Sequence, residues 1–391
     1  MKILLEQGRR DFEPLSYPAR YGLLWEVWFK KLVLRFDLEG RIKEVVVQST
    51  QELLRRTMGN RWLFYEWGNY DQTFALTGAY YLPRDMGEYP YVMGPGFREA
   101  ATLLGKEMKA TDSALLLKGL CELDASARRL KDLLGVNIAV LPPETLWIRY
   151  EILPVLISEG CLYGCHFCTV KGPIAYKTIS RKEIREQIIG LADLYGQEAA
   201  NLGGIFLGQN DALAAESELV LYGAETAWEV ILSHSIRSYR GLYLFASPHS
   251  FLQCQFSLIE SLDRLPYDGI HINIGLESPC EKTLNQLGKP INPVIVQDVI
   301  QKAMVLNRET AKVVVSLNFL ISHQLPNSHI KALEDILSFQ LKKTARGAVF
   351  LSPLTSLKNH GNPSSPFIRR EVLRLKSLSV WPLYLYLIQA F

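Results

Sequence analysis

The decisive stretch of the sequence is Glu159-Gly160-Cys161-Leu162-Tyr163-Gly164-Cys165-His166-Phe167-Cys168, which places three of six cysteines within eight residues. Their spacing is C-x3-C-x2-C. Three thiolates on one short loop can hold three irons of a cubane [4Fe–4S] cluster, and no fourth cysteine lies nearby to hold the fourth iron. An iron with an open position can bind and activate a small molecule. The spacing therefore predicts a metal centre with Cys161, Cys165 and Cys168 as its ligands.

Two other uses of these cysteines fit the sequence less well. A structural zinc site is the stronger alternative, because Cys165 and Cys168 form a C-x2-C pair. Structural zinc normally has four protein ligands. Cys161 and His166 could join the pair, but the chain has no second C-x2-C or H-x3-H pair. A disulfide framework does not fit a long, cysteine-poor chain.

Composition indicates a globular protein with a large core. The chain has 391 residues, of which 48% are hydrophobic and 21% charged. This balance argues against disorder, and the length suggests two domains or one large barrel with additions. The formal net charge of +3 is too small to indicate a nucleic-acid partner by itself.

The sequence also predicts where the protein works. Glu6 introduces an acid too early for the apolar region of a secretory signal. No uncharged apolar run reaches the length of a membrane-spanning helix, so we expect no membrane partner. Reduced cysteines and an oxygen-sensitive cluster both point to the cytoplasm.

Residues 1–150 form an aromatic-rich α+β region with no assigned role. The alternation around Glu39-Gly40 predicts a β-hairpin over 32–47, and a further strand is expected over 62–67. A Gly/Pro-rich loop is expected over 82–96. Helical periodicity covers 97–108 and 112–134, and Gly135 is expected to end the second helix. The region could form a lid or substrate module, or only pack its tryptophans in its own core.

From Glu151 onward, strands and helices alternate regularly. Six apolar strand candidates are expected over 152–158, 203–208, 242–246, 271–276, 312–321 and 348–351. Helices are expected between them over 181–194, 214–232, 258–264, 294–307 and 329–342. This alternation predicts an α/β fold, either a barrel or an open doubly wound sheet. In both folds the site lies at the carboxyl ends of the strands.

The cysteine loop resembles the cluster loop of the radical S-adenosylmethionine (SAM) enzymes. Two further stretches, Gly275 to Ser278 and Leu284 to Lys289, resemble the matching strand and helix of the elongator-type, MiaB-type and NifB-type radical SAM cores. The resemblance covers roughly 151–355. It implies a partial (β/α)6 TIM-type barrel over 151–357, followed by a C-terminal linker and helical extension over 358–391.

The resemblance also implies an activity. In that family the open iron chelates the amino and carboxylate groups of SAM. The reduced cluster cleaves SAM to methionine and a 5′-deoxyadenosyl radical, which abstracts hydrogen from a substrate. The substrate of this chain is not identified by its sequence. The expected partner is an electron donor such as flavodoxin or ferredoxin.

The resemblance places a set of candidate SAM-binding residues at strand ends: Phe167, Gly208, Gln209, Asn210, Asp211, Ser247, Glu277 and Ser278. Phe167 would pack against the adenine. The Gly208 to Asp211 turn would hold the methionine amino group with backbone carbonyls, despite an atypical Gln209-Asn210 pair. Glu277 and Ser278 would bind the ribose hydroxyls or the methionyl part. His249, Ser316, Asn318 and the 350–352 stretch are weaker candidates.

Each of these residues also has a plainer interpretation. Phe167 could be a core aromatic, the 208–211 turn could be an ordinary polar turn, and Glu277 could belong to a structural salt bridge. Two alternative functions stay open. One is an RNA-modifying radical SAM enzyme, although the small net charge argues against it. The other is a non-catalytic zinc or Fe–S module.

Overall fold

A computed structural model describes most of the chain. The described residues are 2–6, 24–29, 32–47, 52–56, 58, 61–65, 84–88, 123–136, 141–148, 151–168, 176–344, 346–354 and 366–386. They form two large sheets and the helices that pack on the second. No helix within these ranges is long and apolar enough to cross a membrane.

The N-terminal region contains an antiparallel sheet whose seven described strands follow one another in chain order. The strands are β1 (Lys2–Glu6), β2 (Leu24–Phe29), β3 (Leu32–Phe36), β4 (Ile42–Val47), β5 (Glu52–Arg56), β6 (Arg61–Tyr65) and β7 (Arg84–Glu88). Helix α1 (Leu123–Leu134) follows. Each strand pairs with its immediate successor, so this sheet is a meander.

The hairpin expected over 32–47 is present as β3 and β4. Its turn uses Gly40 at φ 76°, and the Gly40 N–H donates to the Asp37 carbonyl at 3.0 Å.

Gly135 ends α1 at φ 73°, as expected. Strand β7 replaces part of the loop expected over 82–96, because it pairs with β6. The helix expected over 97–108 lies outside the described residues.

The second sheet forms the barrel. Its strands are β8 (Ile152–Val155), β11 (Gly204–Leu207), β12 (Gly241–Ala246), β13 (Gly269–Glu277), β14 (Val313–Ile321), β15 (Ala348–Pro353) and β16 (Leu383–Leu385). All neighbouring pairs are parallel, and the strand order is the chain order. A doubly wound sheet would reverse this order at its switch point, so the sheet is a partial TIM-type barrel.

The described barrel has one strand more than the six expected. We expected a linker and helical extension over 358–391, but strand β16 follows the last helix and extends the sheet beside β15. Leu383 and Leu385 of this strand are buried. Its three-residue length gives no sequence period, so only the pairing with β15 reveals it.

Helices cover the outside of the barrel. They are α2 (Arg181–Tyr195), α3 (Ser217–Val230), α4 (Pro248–Gln253), α5 (Phe256–Arg264), α6 (Glu281–Leu287), α7 (Pro293–Glu309), α8 (Asn327–Asp335) and α9 (Pro366–Leu378). Helix α2 starts at a capping box in which Ser180 and Glu183 satisfy each other's backbone N–H groups. A short antiparallel pair, β9 (Ser158–Glu159) and β10 (Lys177–Thr178), flanks the cysteine loop.

The connector before the barrel enters its interior. Leu141 through Thr145 are all buried, and the Glu144 carboxylate accepts a hydrogen bond from the Ser316 hydroxyl on β14. Burial raises the pKa of Glu144. The Tyr386 hydroxyl, just after β16, donates to the Leu141 carbonyl. This segment therefore links β14 to the chain that follows β16.

The hairpin β3–β4 docks on the barrel at the amino ends of its strands. Lys43 Nζ lies 3.0 Å from Glu151 and 2.8 Å from Glu198. Arg237, which precedes β12, pairs with the other oxygen of Glu151. Both glutamates are buried, so their charges need these partners. These contacts lie at the end of the barrel opposite the cysteine loop, which follows β8 and β9.

We expect Lys43→Ala to lower the free energy of unfolding by about 3 kcal/mol, because it removes one partner from two buried carboxylates. Chemical denaturation of the purified protein measures the change. Lys182→Ala is the matched control. The Lys182 side chain is 83% exposed and lies 3.8 Å from Glu186, so its loss is expected to cost less than about 1 kcal/mol. Equal effects of the two substitutions would contradict the docking role of Lys43.

Candidate active site

The three cysteines of the loop lie on the wall of one cavity. The cavity has a volume of about 180 Å³ and opens at the carboxyl ends of the barrel strands. Cys165 is buried, while Cys161 and Cys168 are half-buried, and all three are free thiols. Burial raises the pKa of the Cys161 and Cys165 thiols, and the nearby Lys289 ammonium acts in the opposite direction. A cation beside thiols favours their metal-binding thiolate form.

This donor set fits a cluster with three protein ligands. Three sulfur donors share one cavity, and the Tyr163 N–H donates to Cys161 Sγ at 3.4 Å. Backbone N–H groups aimed at sulfur are one means by which proteins tune Fe–S clusters. In the described parts of the chain, no three His, Cys, Asp or Glu side chains are grouped to hold a single metal ion.

The C-terminal end of helix α6 contacts the cysteine loop. The His166 N–H donates to the Leu287 carbonyl at the end of this helix, at 2.9 Å. Gly288 follows in the left-handed conformation at φ 62°. A Cβ atom at Gly288 would lie 2.8 Å from the His166 ring. The Leu287-Gly288-Lys289 run therefore positions the loop as well as supplying a lysine to the cavity.

Two further contacts join the cysteine loop to the strand ends beside it. The Tyr163 hydroxyl lies 2.5 Å from Nδ1 of His249, and the two rings meet edge to face. Asn210 donates its side-chain amide to the Gly160 carbonyl at 3.2 Å. Gly160 adopts φ 76°, a backbone conformation that glycine reaches without steric cost. Burial raises the pKa of Tyr163 to about 12, so its hydroxyl keeps its proton.

Glu277 brings a carboxylate into the cavity from the end of β13. Its Oε1 lies 3.4 Å from Nζ of Lys289, and both side chains are more than 90% buried. Its Oε2 accepts a hydrogen bond from the Asn318 amide at 3.4 Å. The Lys289 ammonium also lies over the Tyr163 ring, 5.2 Å from its centroid. At 3.4 Å these contacts are long, so the pair has capacity for another polar ligand.

The structure brings part of the predicted SAM site onto the cavity wall. Phe167, Asn210, Ser247 and Glu277 line the cavity together with the three cysteines. Phe167 also packs against the cluster of Leu287, Leu320 and Leu325. The SAM-binding roles of Phe167, Asn210, Ser247 and Glu277 stay predictions.

Four predicted residues do not line this cavity. They are Gly208, Gln209, Asp211 and Ser278. Asp211 lies behind the wall, where Oδ1 accepts hydrogen bonds from the Ser247 N–H at 3.0 Å and the Ser250 hydroxyl at 2.5 Å. Gly208 adopts φ 78° and closes the turn. Asp211 and Gly208 therefore contribute to the shape of the wall, and their expected part in SAM binding stays a prediction.

The sequence did not single out several cavity residues. Lys289, Tyr163, Asn273 and Tyr386 all line the cavity. Lys289 belongs to the stretch that resembles the radical SAM cores, so its positive charge could have marked it as a candidate beside the expected metal site. Tyr386 carried no such signal, because it reaches the cavity only through the pairing of β16 with β15.

This chain has only low similarity to the known proteins with which it was compared. No family model matches the chain, and no curated protein matches it. Two solved structures of the cobalamin-dependent SAM radical enzyme OxsB, one with aqua-cobalamin and SAM bound and one with aqua-cobalamin, have 14% identity and TM-scores of 0.35 and 0.36. Each alignment covers 59% of this chain but only 31% of OxsB.

A third similar structure is the FeFe-hydrogenase maturase HydG from Carboxydothermus hydrogenoformans. It has 11% identity and a TM-score of 0.38, covering 72% of this chain and 68% of HydG. Likenesses this low do not assign a function by themselves. The functional conclusion therefore rests on the residues of the cavity.

We expect Gly288→Ala to reduce iron incorporation and to lower the free energy of unfolding by about 1–2 kcal/mol, because a side chain there is strained and meets the His166 ring. Iron content per chain after anaerobic reconstitution, together with chemical denaturation, measures both effects. Gly164→Ala is the matched control in the same loop, since a Cβ there meets no atom within 4 Å. Full iron incorporation by the Gly288 variant would contradict the holding role of α6.

Proposed function

We propose that this chain is a radical SAM enzyme. The observation that carries the proposal is the placement of Cys161, Cys165 and Cys168 around one cavity at the carboxyl ends of a parallel barrel. That is the end where barrel enzymes hold their active sites. The bound cluster and SAM would supply the chemistry, namely one-electron reductive cleavage of SAM to methionine and a 5′-deoxyadenosyl radical that abstracts hydrogen from the substrate.

The chain's own residues would bind and orient SAM. Three thiolates would hold the cluster and leave one iron free for the amino and carboxylate groups of SAM. Lys289 would attract the SAM carboxylate, and Glu277 would accept hydrogen bonds from the ribose hydroxyls, since charge-assisted contacts of this kind are strong. Phe167 would pack against the adenine. The barrel walls would restrict water around the reacting atoms.

The proposal includes partners and location. The cleavage needs one electron per turnover, so we propose a low-potential donor of the flavodoxin or ferredoxin class. An oxygen-sensitive cluster and free thiols fit the cytoplasm. The substrate and the net reaction are left open.

The direct test is anaerobic reconstitution with iron and sulfide, then reduction with dithionite in the presence of SAM and assay for 5′-deoxyadenosine. Formation of 5′-deoxyadenosine by the wild-type protein is the expected result. Cys165→Ala is expected to lose both the brown absorbance and the product, because it removes one cluster ligand. A colourless protein that binds zinc in place of a cluster would refute the proposal.

Glu277→Ala is expected to weaken SAM binding roughly tenfold to a hundredfold with the cluster intact, because a buried charge-assisted hydrogen bond contributes about 1.5–3 kcal/mol. Equilibrium dialysis of SAM against reconstituted protein measures this, and iron analysis checks the cluster. Glu281→Ala removes an exposed acid of α6 nearby and is the control. Unchanged SAM affinity in the Glu277 variant would remove this residue from the SAM site.

A further inference from the structure

Glu277 has a strained backbone. Its φ of 66° is the one positive φ among the described residues other than glycine. The Ser278 N–H donates to the Leu276 carbonyl at 2.8 Å, which makes Glu277 the central residue of a three-residue turn. A γ-turn with positive φ is rare and strained, at a cost of about 1–2 kcal/mol. Other contacts must therefore hold this conformation.

The strain has a consequence for the site. At this turn the pairing of β13 with β14 slips, so that Gly275 faces Asn318 while Glu277 faces Phe319. Side chains alternate between the two faces of a regular strand, so residues two apart share a face. Gly275 and Glu277 both line the cavity. At the turn Glu277 therefore keeps its carboxylate on the cavity face, although it pairs with Phe319, which does not line the cavity.

Ser278 follows Glu277 at the end of the turn, and its hydroxyl forms a hydrogen bond with His329. The Ser278 hydroxyl lies 2.8 Å from Nδ1 of His329 and accepts a hydrogen bond from the Cys280 N–H at 3.0 Å. Nε2 of His329 lies 2.9 Å from the Leu320 carbonyl. Both side chains are fully buried.

The two partners determine the tautomer of His329. A carbonyl oxygen only accepts, so Nε2 carries the proton and donates to Leu320. Nδ1 is then the acceptor for the Ser278 hydroxyl. Burial lowers the pKa of His329 and favours this neutral ring. Because Leu320 itself lines the cavity, His329 ties the ends of β13 and β14 together beside the site.

We propose that His329 is a positioning residue for SAM binding: through the Ser278 hydroxyl it holds Glu277 in the strained turn that aims its carboxylate into the cavity. This inference rests on the proposed function, in which Glu277 contacts SAM. It also reassigns Ser278, which was expected in the SAM site. The Ser278 hydroxyl faces His329 and acts on SAM only through its neighbour.

Two substitutions separate the two hydrogen bonds of His329. His329→Asn can place Oδ1 where Nδ1 was and keep the acceptor for Ser278. His329→Gln can place its amide nitrogen where Nε2 was, keeping the donor to Leu320 and losing the acceptor. We expect the Kd for SAM to rise roughly tenfold in H329Q, equivalent to about 1.4 kcal/mol, and to stay within about threefold of wild type in H329N.

Ser278→Ala provides an independent variant that keeps the imidazole and removes only the hydroxyl. It is expected to raise the Kd for SAM as much as H329Q does. The double variant S278A/H329Q is expected to match either single variant, because both remove the same hydrogen bond. The readouts are SAM equilibrium dialysis, iron content per chain and Tm.

A merely structural role makes a different prediction. In that case H329N, H329Q and S278A would lower Tm and iron content while the remaining loaded protein bound SAM normally. Wild-type affinity in H329Q, or equal losses in H329N and H329Q, would overturn the inference. Failure of the wild-type reconstituted protein to bind SAM would instead refute the proposed function, and the inference with it.

Discussion

A parallel sheet that keeps the chain order is the constraint on which the rest of this structure depends. Every strand runs in the same direction and neighbours its successor, so the carboxyl ends of all the strands gather around one opening. Loops that are far apart in sequence then meet there. The cysteine loop after β8 and β9, the turn after β11 and the end of β13 share one cavity for this reason.

The buried pair of Glu277 and Lys289 places two charged side chains in this cavity, which is energetically unfavourable by itself. Removing two charges from water is unfavourable unless each finds good partners. Here the ammonium lies 3.4 Å from the carboxylate, which also accepts a long hydrogen bond from Asn318. A hydrophobic pair would pack at lower cost, so stability alone does not account for these charges, which fits the proposed role of Glu277 in SAM binding. The strained backbone of Glu277 points to the same conclusion.

The cysteine loop and the Leu287-Gly288-Lys289 run pack against each other in the folded protein. The loop donates a backbone hydrogen bond to the end of α6, and Gly288 leaves room for the His166 ring. A lysine follows directly and enters the cavity. The same short run therefore positions the cysteine loop and supplies a positive charge beside the thiols. The opposite end of the barrel carries the docked N-terminal hairpin, which leaves the cavity end free of those contacts.

The sequence by itself determined the local features. The C-x3-C-x2-C spacing identified the thiols, strand and helix periods identified six β/α units, and Gly40 and Gly135 marked turns that the structure contains. Such features depend on residues close in the chain. The alternation alone left a barrel and a doubly wound sheet open, and only the strand order separates them.

Only the tertiary structure decided which predicted residues face the cavity. Asp211 and Ser278 lie next to wall residues in sequence, yet both are fully buried and neither lines the cavity. Lys289 and Tyr386 reach the cavity from separate segments. At Glu277 the pairing of β13 with β14 slips by one residue, and the carboxylate still lines the cavity. The next residue, Ser278, contacts His329, 51 residues further along the chain, and no local pattern could reveal that contact.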